Sequence, residues 1–193
     1  MTPDERASLI RQYADGPAAL RASLSRVPSE ATKWRPAPTK WSVHEILCHC
    51  ADSEMVAALR IRYLVAERAP RIIAYDQDVW ARTFDYHALG ADLAMTLVEG
   101  VRRWTVSLLE RLTEEQWAKE GTHTERGRYT VEEWLTLYAE HMHTHARQID
   151  RTLAQKGEGL YNELCQKCPL PAPHTDAFWN EQIQIHLIGL DLR

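Results

Sequence analysis

Residues 138–145 read Tyr138-Ala139-Glu140-His141-Met142-His143-Thr144-His145, and two of the histidines occupy positions where a helix normally carries apolar side chains. The apolar positions recur at steps of three and four residues, which is the spacing of one helical face. They are Trp134, Tyr138, His141, His145, Ile149 and Leu153. Side chains four residues apart on a helix lie about 6 Å from each other. The pattern therefore predicts a core-facing helix that carries His141 and His145 at a spacing suited to two ligands of one metal ion.

The third histidine of this segment, His143, is predicted to lie on another side of the helix. Two residues correspond to a rotation of about 200° around a helix, so His143 points away from His141. We expect it to be solvated or to lie in an interface.

A further candidate ligand, His49, occurs much earlier in the chain. Ser42 and Glu45 have the spacing of a capping box and predict a helix that contains His49. Three imidazoles with an open fourth position are typical of catalytic rather than structural metal sites. An alternative stays open, since each histidine can also be a hydrogen-bonded core residue. The chain would then be a non-enzymatic bundle that serves binding or dimerisation.

Helical patterns and their end signals predict an all-α four-helix bundle. The predicted helices cover about 3–25, 42–67, 91–112 and 130–157. Gly16-Pro17 predicts a kink in the first helix, a short hairpin is expected around Gly121 and Gly127, and Gly157 is expected to stop the last helix. One face of the third helix is predicted to be apolar and consists of Leu93, Leu97, Val101, Trp104 and Leu108. Helical bundles hold metals by pointing ligands inward from facing helices.

The composition indicates a globular protein with no nucleic-acid partner. The 193 residues carry 23 Lys and Arg against 27 Asp and Glu, for a net charge of −4. A mixed, slightly acidic surface does not suit a phosphate backbone. The first residues lack a signal peptide pattern, and no apolar run approaches the roughly 20 residues that span a bilayer. We therefore expect a cytoplasmic protein without a membrane partner, in which Cys48 and Cys50 are reduced core residues.

An ordered set of short motifs resembles the DinB/YfiT-like family over about residues 23–153. The set comprises Trp41-Ser42 before His49, Ala51-Asp52-Ser53-Glu54, Tyr75-Asp76, Trp80-Ala81, Arg103-Trp104, Leu108-Leu109, Tyr129-Thr130, and Tyr138-Ala139-Glu140-His141 with His145. The resemblance implies a DinB-like four-helix bundle with one divalent ion, usually zinc or nickel, on His49, His141 and His145.

The resemblance also implies an activity and an assembly. Members are described as metal-dependent hydrolases, and relatives include bacillithiol and mycothiol S-transferases. The expected substrate is therefore a small molecule, and the ion would activate either water or a low-molecular-weight thiol. The resemblance and the apolar surface together predict a homodimer. Asp52, Glu54 and Asp76 are candidates for orienting the ligands or acting as a base, although helix-surface charges are the more common role of such carboxylates.

The remaining segment, residues 158–193, is predicted to be a C-terminal extension of the bundle domain at 1–157. Its apolar residues suggest an irregular arm that packs on the bundle or on a dimer partner. Cys165 and Cys168 could instead form half of a zinc site with His174 and His186, although the spacing fits no common zinc motif closely. The arm is the favoured interpretation.

Overall fold

The computed structural model describes the backbone of residues 1–167 and the side chains of residues 1–160. The helices are α1 Pro3–Leu24, α2 Val43–Ala66, α3 Gln77–Thr83, α4 Ala91–Leu109, α5 Glu114–Trp117 and α6 Val131–Lys167. The strands are β1 Arg71–Ile72, β2 Glu120–His123 and β3 Gly127–Thr130. Single 3₁₀ turns occur at Ser29–Ala31 and Tyr86–Ala88.

The four long helices α1, α2, α4 and α6 form the predicted bundle. Each of α1 and α2 packs between α4 and α6, so α1 and α2 lie at opposite corners although they are consecutive in the chain. Trp134 donates to the Ala57 carbonyl and His145 packs on His49, so α6 runs antiparallel to α2. This orientation brings the middle of α6 against the first turns of α2. None of the helices in the described part combines the length and apolar character needed to cross a bilayer.

A small sheet closes one side of the bundle near the α2–α6 contact. β1 pairs parallel with β2, and β2 pairs antiparallel with β3 in the predicted hairpin. Gly127 opens β3 with a φ of 76°, a left-handed conformation that glycine adopts without steric cost.

Both predicted capping boxes are present, but the predicted end of the last helix is wrong. Ser42 caps α2 reciprocally with Glu45, and Thr130 caps α6 reciprocally with Glu133. α6 continues through Gly157 to Lys167. A glycine ends a helix when its backbone turns left-handed; inside a helix it costs only about 1 kcal/mol relative to alanine. The division into residues 1–157 and 158–193 stays a prediction.

The proline in α1 is accommodated by an arginine from α4. Pro17 lies inside α1 and has no N–H to donate to the carbonyl of Tyr13, four residues earlier. Arg102 donates from Nη1 to that carbonyl at 2.7 Å. Its other nitrogens bond to the Glu54 carboxylate, so the buried charge is paired. α1 therefore continues past Pro17 as one helix.

The predicted apolar face of α4 is only partly buried, since Leu97 and Leu108 pack against the core. Leu93 is 75% exposed and Trp104 is 68% exposed. The buried residues of α4 are Ala94, Met95, Val98, Arg102, Thr105 and Leu109. The apolar pattern failed because an ion-paired arginine and a threonine occupy the core face, while large apolar residues occupy the outer one.

Candidate metal centre

The local structure of α2 and α6 positions the three predicted ligands. His49 lies in the second turn of α2, whose start is fixed by the Ser42 cap, and it is 2% exposed. The Trp41 ring packs on His49 with a centroid distance of 4.8 Å. His141 and His145 lie one turn apart on α6 and are half-buried. Together the antiparallel helices place all three imidazoles between them.

The three histidines can each offer one ring nitrogen to a common point. These nitrogens all lie within 4.8 Å of one another. His141 Nε2 and His145 Nε2 are 3.2 Å apart. Two ligands at the usual zinc–nitrogen distance and a tetrahedral angle would be separated by about 3.3 Å. The spacing of this pair therefore fits two ligands of one ion.

Burial keeps these imidazoles neutral, which is the form that binds metals. Burial lowers the pKa of His49 to about 3, with a smaller contribution from the neighbouring His145. It also lowers the pKa of His141 well below its usual value, with added repulsion from His145 and His49. The pKa of His145 is lowered by burial and raised in part by Gln148. Metal binding would thus displace few protons at neutral pH.

One polar side chain orients the His145 ring, and a second lies beside the proposed ligand nitrogen of His141. Gln148 Oε1 lies 2.8 Å from His145 Nδ1 and accepts a hydrogen bond when Nδ1 carries the ring proton. In this tautomer Nε2 has a free lone pair, which is directed at His141. Ser53 Oγ lies 3.5 Å from His141 Nε2. His49 Nδ1 is buried and has no hydrogen-bond partner among the described residues. A neutral, oriented donor set with one unpartnered buried nitrogen fits a divalent ion.

Sequence reasoning missed Gln148 and Ser53. Their spacing offered a signal, because Gln148 follows His145 by three residues and Ser53 follows His49 by four. Residues so spaced share a helical face with the histidine.

The three carboxylates suggested as ligand partners bond elsewhere. Asp52 accepts a hydrogen bond from the Tyr86 hydroxyl at 2.5 Å. Glu54 pairs with Arg102, and Asp76 caps α3 by accepting from two backbone N–H groups. None of them forms a hydrogen bond with a candidate ligand.

His143 lies on another side of α6, as the helical geometry requires. Its Nε2 lies 3.0 Å from the Gln12 carbonyl of α1. It is half-buried in that helix contact rather than solvated.

A cavity of about 250 Å³ adjoins His49 and His141. The hairpin, α2, α6 and the segment after β1 build its polar wall. The polar side chains of this wall are Arg60, Tyr75, His123, Arg126, Tyr129 and Tyr138. A larger cavity of about 950 Å³, near Arg6 and Glu114, contains none of the three histidines. Of these two cavities, the small one adjoins the candidate ligands.

The alternative zinc site of the C-terminal segment lies outside the described residues. Cys168, His174 and His186 fall there, as does the side chain of Cys165. The arm interpretation of this segment falls there as well.

Comparison with known proteins identifies a family over most of the chain. The model of the DinB superfamily matches residues 12–149. A relative from Oceanobacillus iheyensis is 26% identical over 76% of this chain and 85% of its own length. One from Geobacillus thermodenitrificans is 30% identical over 77% of this chain and 82% of its own length. The names of both proteins assign them, by inference, as metal-dependent hydrolases.

A solved structure shares the fold. YfiT from Bacillus subtilis superposes with a TM-score of 0.76 and 23% identity, over 81% of this chain and 90% of its own. That protein is described as having an unusual four-helix bundle topology and is inferred to be a metal-dependent hydrolase. The match confirms the predicted four-helix bundle.

Proposed function

The chain belongs to the DinB superfamily, and on that premise we propose that it is a metal-dependent hydrolase of a small-molecule substrate. We propose His49, His141 and His145 as ligands of one divalent ion, zinc or nickel. The observation that carries this proposal is the convergence of three ring nitrogens within 4.8 Å. The inferred activity in the names of the relatives supports the same reaction class.

The residues around the ligands prepare them for this role. A divalent ion held by His49, His141 and His145 would supply the charge that acidifies a bound water or thiol. Gln148 holds the proton of His145 on Nδ1, so Nε2 stays free as a ligand atom. Trp41 packs on His49, and the small cavity adjoins His49 and His141.

Transfer involving a low-molecular-weight thiol is a second proposal for the same centre. Burial raises the pKa of Cys48 to about 11 and also raises that of Cys50. These two described cysteines are therefore poor nucleophiles, and the thiol of this proposal is a separate low-molecular-weight compound. A requirement for added thiol would distinguish transfer from hydrolysis.

The metal assignment predicts close to one divalent ion per chain in protein purified without a histidine tag. His145→Ala should remove most of the ion, because two imidazoles bind far more weakly than three. Elemental analysis gives the metal content, and hydrolysis of 4-nitrophenyl acetate before and after chelation gives the activity. His143→Ala, on another side of α6, is the matched control and should keep both.

Full metal occupancy in a variant with alanine at all three positions would contradict the ligand assignment. Hydrolysis that survives exhaustive chelation would contradict the metal-dependent reaction. A chain without bound metal would support the alternative, a non-enzymatic bundle in which the 3.2 Å contact between His141 and His145 is a hydrogen bond.

The homodimer also stays a proposal, and apolar side chains exposed on α2 and α4 support it. The cytoplasmic location stays a prediction from the sequence, to be checked by cell fractionation.

A further inference from the structure

The cavity beside His49 and His141 carries more positive than negative charge. Arg60 of α2 and Arg126 of the hairpin line it, against one carboxylate, that of Glu125. His123 adds an imidazole whose pKa is lowered by burial and then by the two arginines. The wall therefore has a net positive charge at neutral pH.

Arg60 is held in a fixed position in this wall. It donates from Nη1 to the Tyr138 hydroxyl at 3.0 Å and from Nη2 to the Ile73 carbonyl at 2.7 Å. Its Nε is buried and has no partner among the described residues. Neither bonded oxygen belongs to a carboxylate, so the Arg60 charge is not neutralised by these bonds.

Tyr129 contributes an unpartnered donor to the same wall. Tyr129 is 2% exposed, and its hydroxyl forms no hydrogen bond within the described structure. Burial raises the pKa of this hydroxyl, so it stays protonated at neutral pH. A buried hydroxyl without a partner costs about 1–3 kcal/mol, a cost that an acceptor in the cavity would remove.

Arg126 differs from its neighbour on the hairpin. Arg128 is paired with Glu120 at 2.6 Å. Arg126 is exposed and forms no ion pair within residues 1–160. An unpaired guanidinium beside a cavity is suited to carboxylate or phosphate, which it can bind through two parallel hydrogen bonds.

We infer that this cavity binds the anionic group of the substrate, a carboxylate or a phosphate, with Arg126 and the Tyr129 hydroxyl as its donors. This inference rests on the proposed function in one respect: the bond that reacts would lie next to the three histidines, at the other end of the substrate. A volume of about 250 Å³ lies below the range of roughly 300–1,000 Å³ for drug-sized ligands. The substrate is therefore a small organic anion.

Calorimetric titration of the metal-loaded, full-length protein tests this inference with three probes: benzoate, phenyl phosphate and neutral benzamide. Benzoate or phenyl phosphate should bind at least tenfold more tightly than benzamide, and the tighter of the two identifies the anionic group. Arg126→Gln should weaken the preferred anion about tenfold or more, as expected for a lost charge-assisted hydrogen bond. Tyr129→Phe, which removes only the hydroxyl, should weaken it about five- to tenfold.

Arg128→Gln is the matched control, because it removes the same charge from the same hairpin outside this cavity, and it should change affinity less than twofold. Equal binding of benzoate, phenyl phosphate and benzamide, binding of none of them, or unchanged anion affinity in Arg126→Gln would overturn the inference. Binding that depends on His145 but not on Arg126 would place the anion on the metal instead and would also overturn it. Because binding requires no turnover, this inference and the proposed hydrolase activity can fail separately.

Discussion

The burial of His49, a proposed metal ligand, makes the stability of the fold depend on pH. Its ring is 2% exposed, and burial lowers its pKa to about 3 from the 6.5 of a solvated histidine. In the unfolded chain His49 is protonated below pH 6.5, whereas in the folded chain it stays neutral down to about pH 3. Between these two pH values protons bind the unfolded chain preferentially. The free energy of unfolding is therefore unaffected by His49 above pH 6.5 and decreases as the pH falls from 6.5 towards 3.

The metal-free protein should therefore lose stability between pH 7 and pH 5, mainly through its buried histidines. Each such histidine contributes up to about 1.4 kcal/mol per pH unit below its unfolded pKa. His49→Leu should make this dependence shallower by up to that amount. Urea unfolding after chelation, at several pH values, measures it. An equally steep dependence in the variant would show that His49 is not kept neutral by the fold.

A second group of buried residues explains how a charge lies in the core. Arg102 and Glu54 are each 1% exposed and paired, and the Tyr13 ring lies 3.8 Å from the Arg102 guanidinium carbon. The same guanidinium bonds to the carbonyl that Pro17 leaves without its helical partner. One arginine thus satisfies both a buried carboxylate and a defect in α1.

At the level of helices, Gly16 allows α1 to approach α4 and α6. A Cβ at Gly16 would lie 2.6 Å from Arg102 Nη1 and 3.0 Å from Met142 Cβ. Gly16→Ala should destabilise the fold by about 1–3 kcal/mol, because overpacking outweighs the better helix propensity of alanine. Gly100→Ala in α4 is the matched control: nothing lies within 4 Å of its added Cβ. It should stabilise by about 0.5–1 kcal/mol.

Thermal unfolding of both variants checks the sign of each effect. Stabilisation by Gly16→Ala would mean that Arg102 moves aside without loss, contrary to the tight packing described above.

The parts of the fold that could be predicted from sequence are those governed by local chemistry. The Ser42 and Thr130 caps and the spacing of His141 and His145 depend on residues three or four positions apart. The inward face of α4 could not be predicted, because the buried charge of Arg102 is neutralised by Glu54, which is 48 residues away in the chain. The cavity depends likewise on contacts between the hairpin and α2 that no local pattern contains.

At the scale of the whole molecule, several large apolar side chains are exposed on two neighbouring helices. Apolar side chains project from α2 and α4, two neighbouring helices of the bundle. We define this α2–α4 surface by Met55, Leu59, Tyr63, Leu93 and Trp104, which are 42–75% exposed. A two-fold interface pairs the same patch on both subunits, so an apolar patch is complementary to itself.

We predict that the proposed homodimer forms through the α2–α4 surface. Trp104→Glu should convert the dimer to a monomer at micromolar concentration, because it would bury an unpaired charge in the interface. Phe84→Glu is the matched control, since Phe84 is 51% exposed on another element and packs on Trp80. Light scattering gives the mass, and circular dichroism confirms that each variant folds. A wild-type monomer would refute the dimer, whereas a dimer that survives Trp104→Glu would place its interface on another surface.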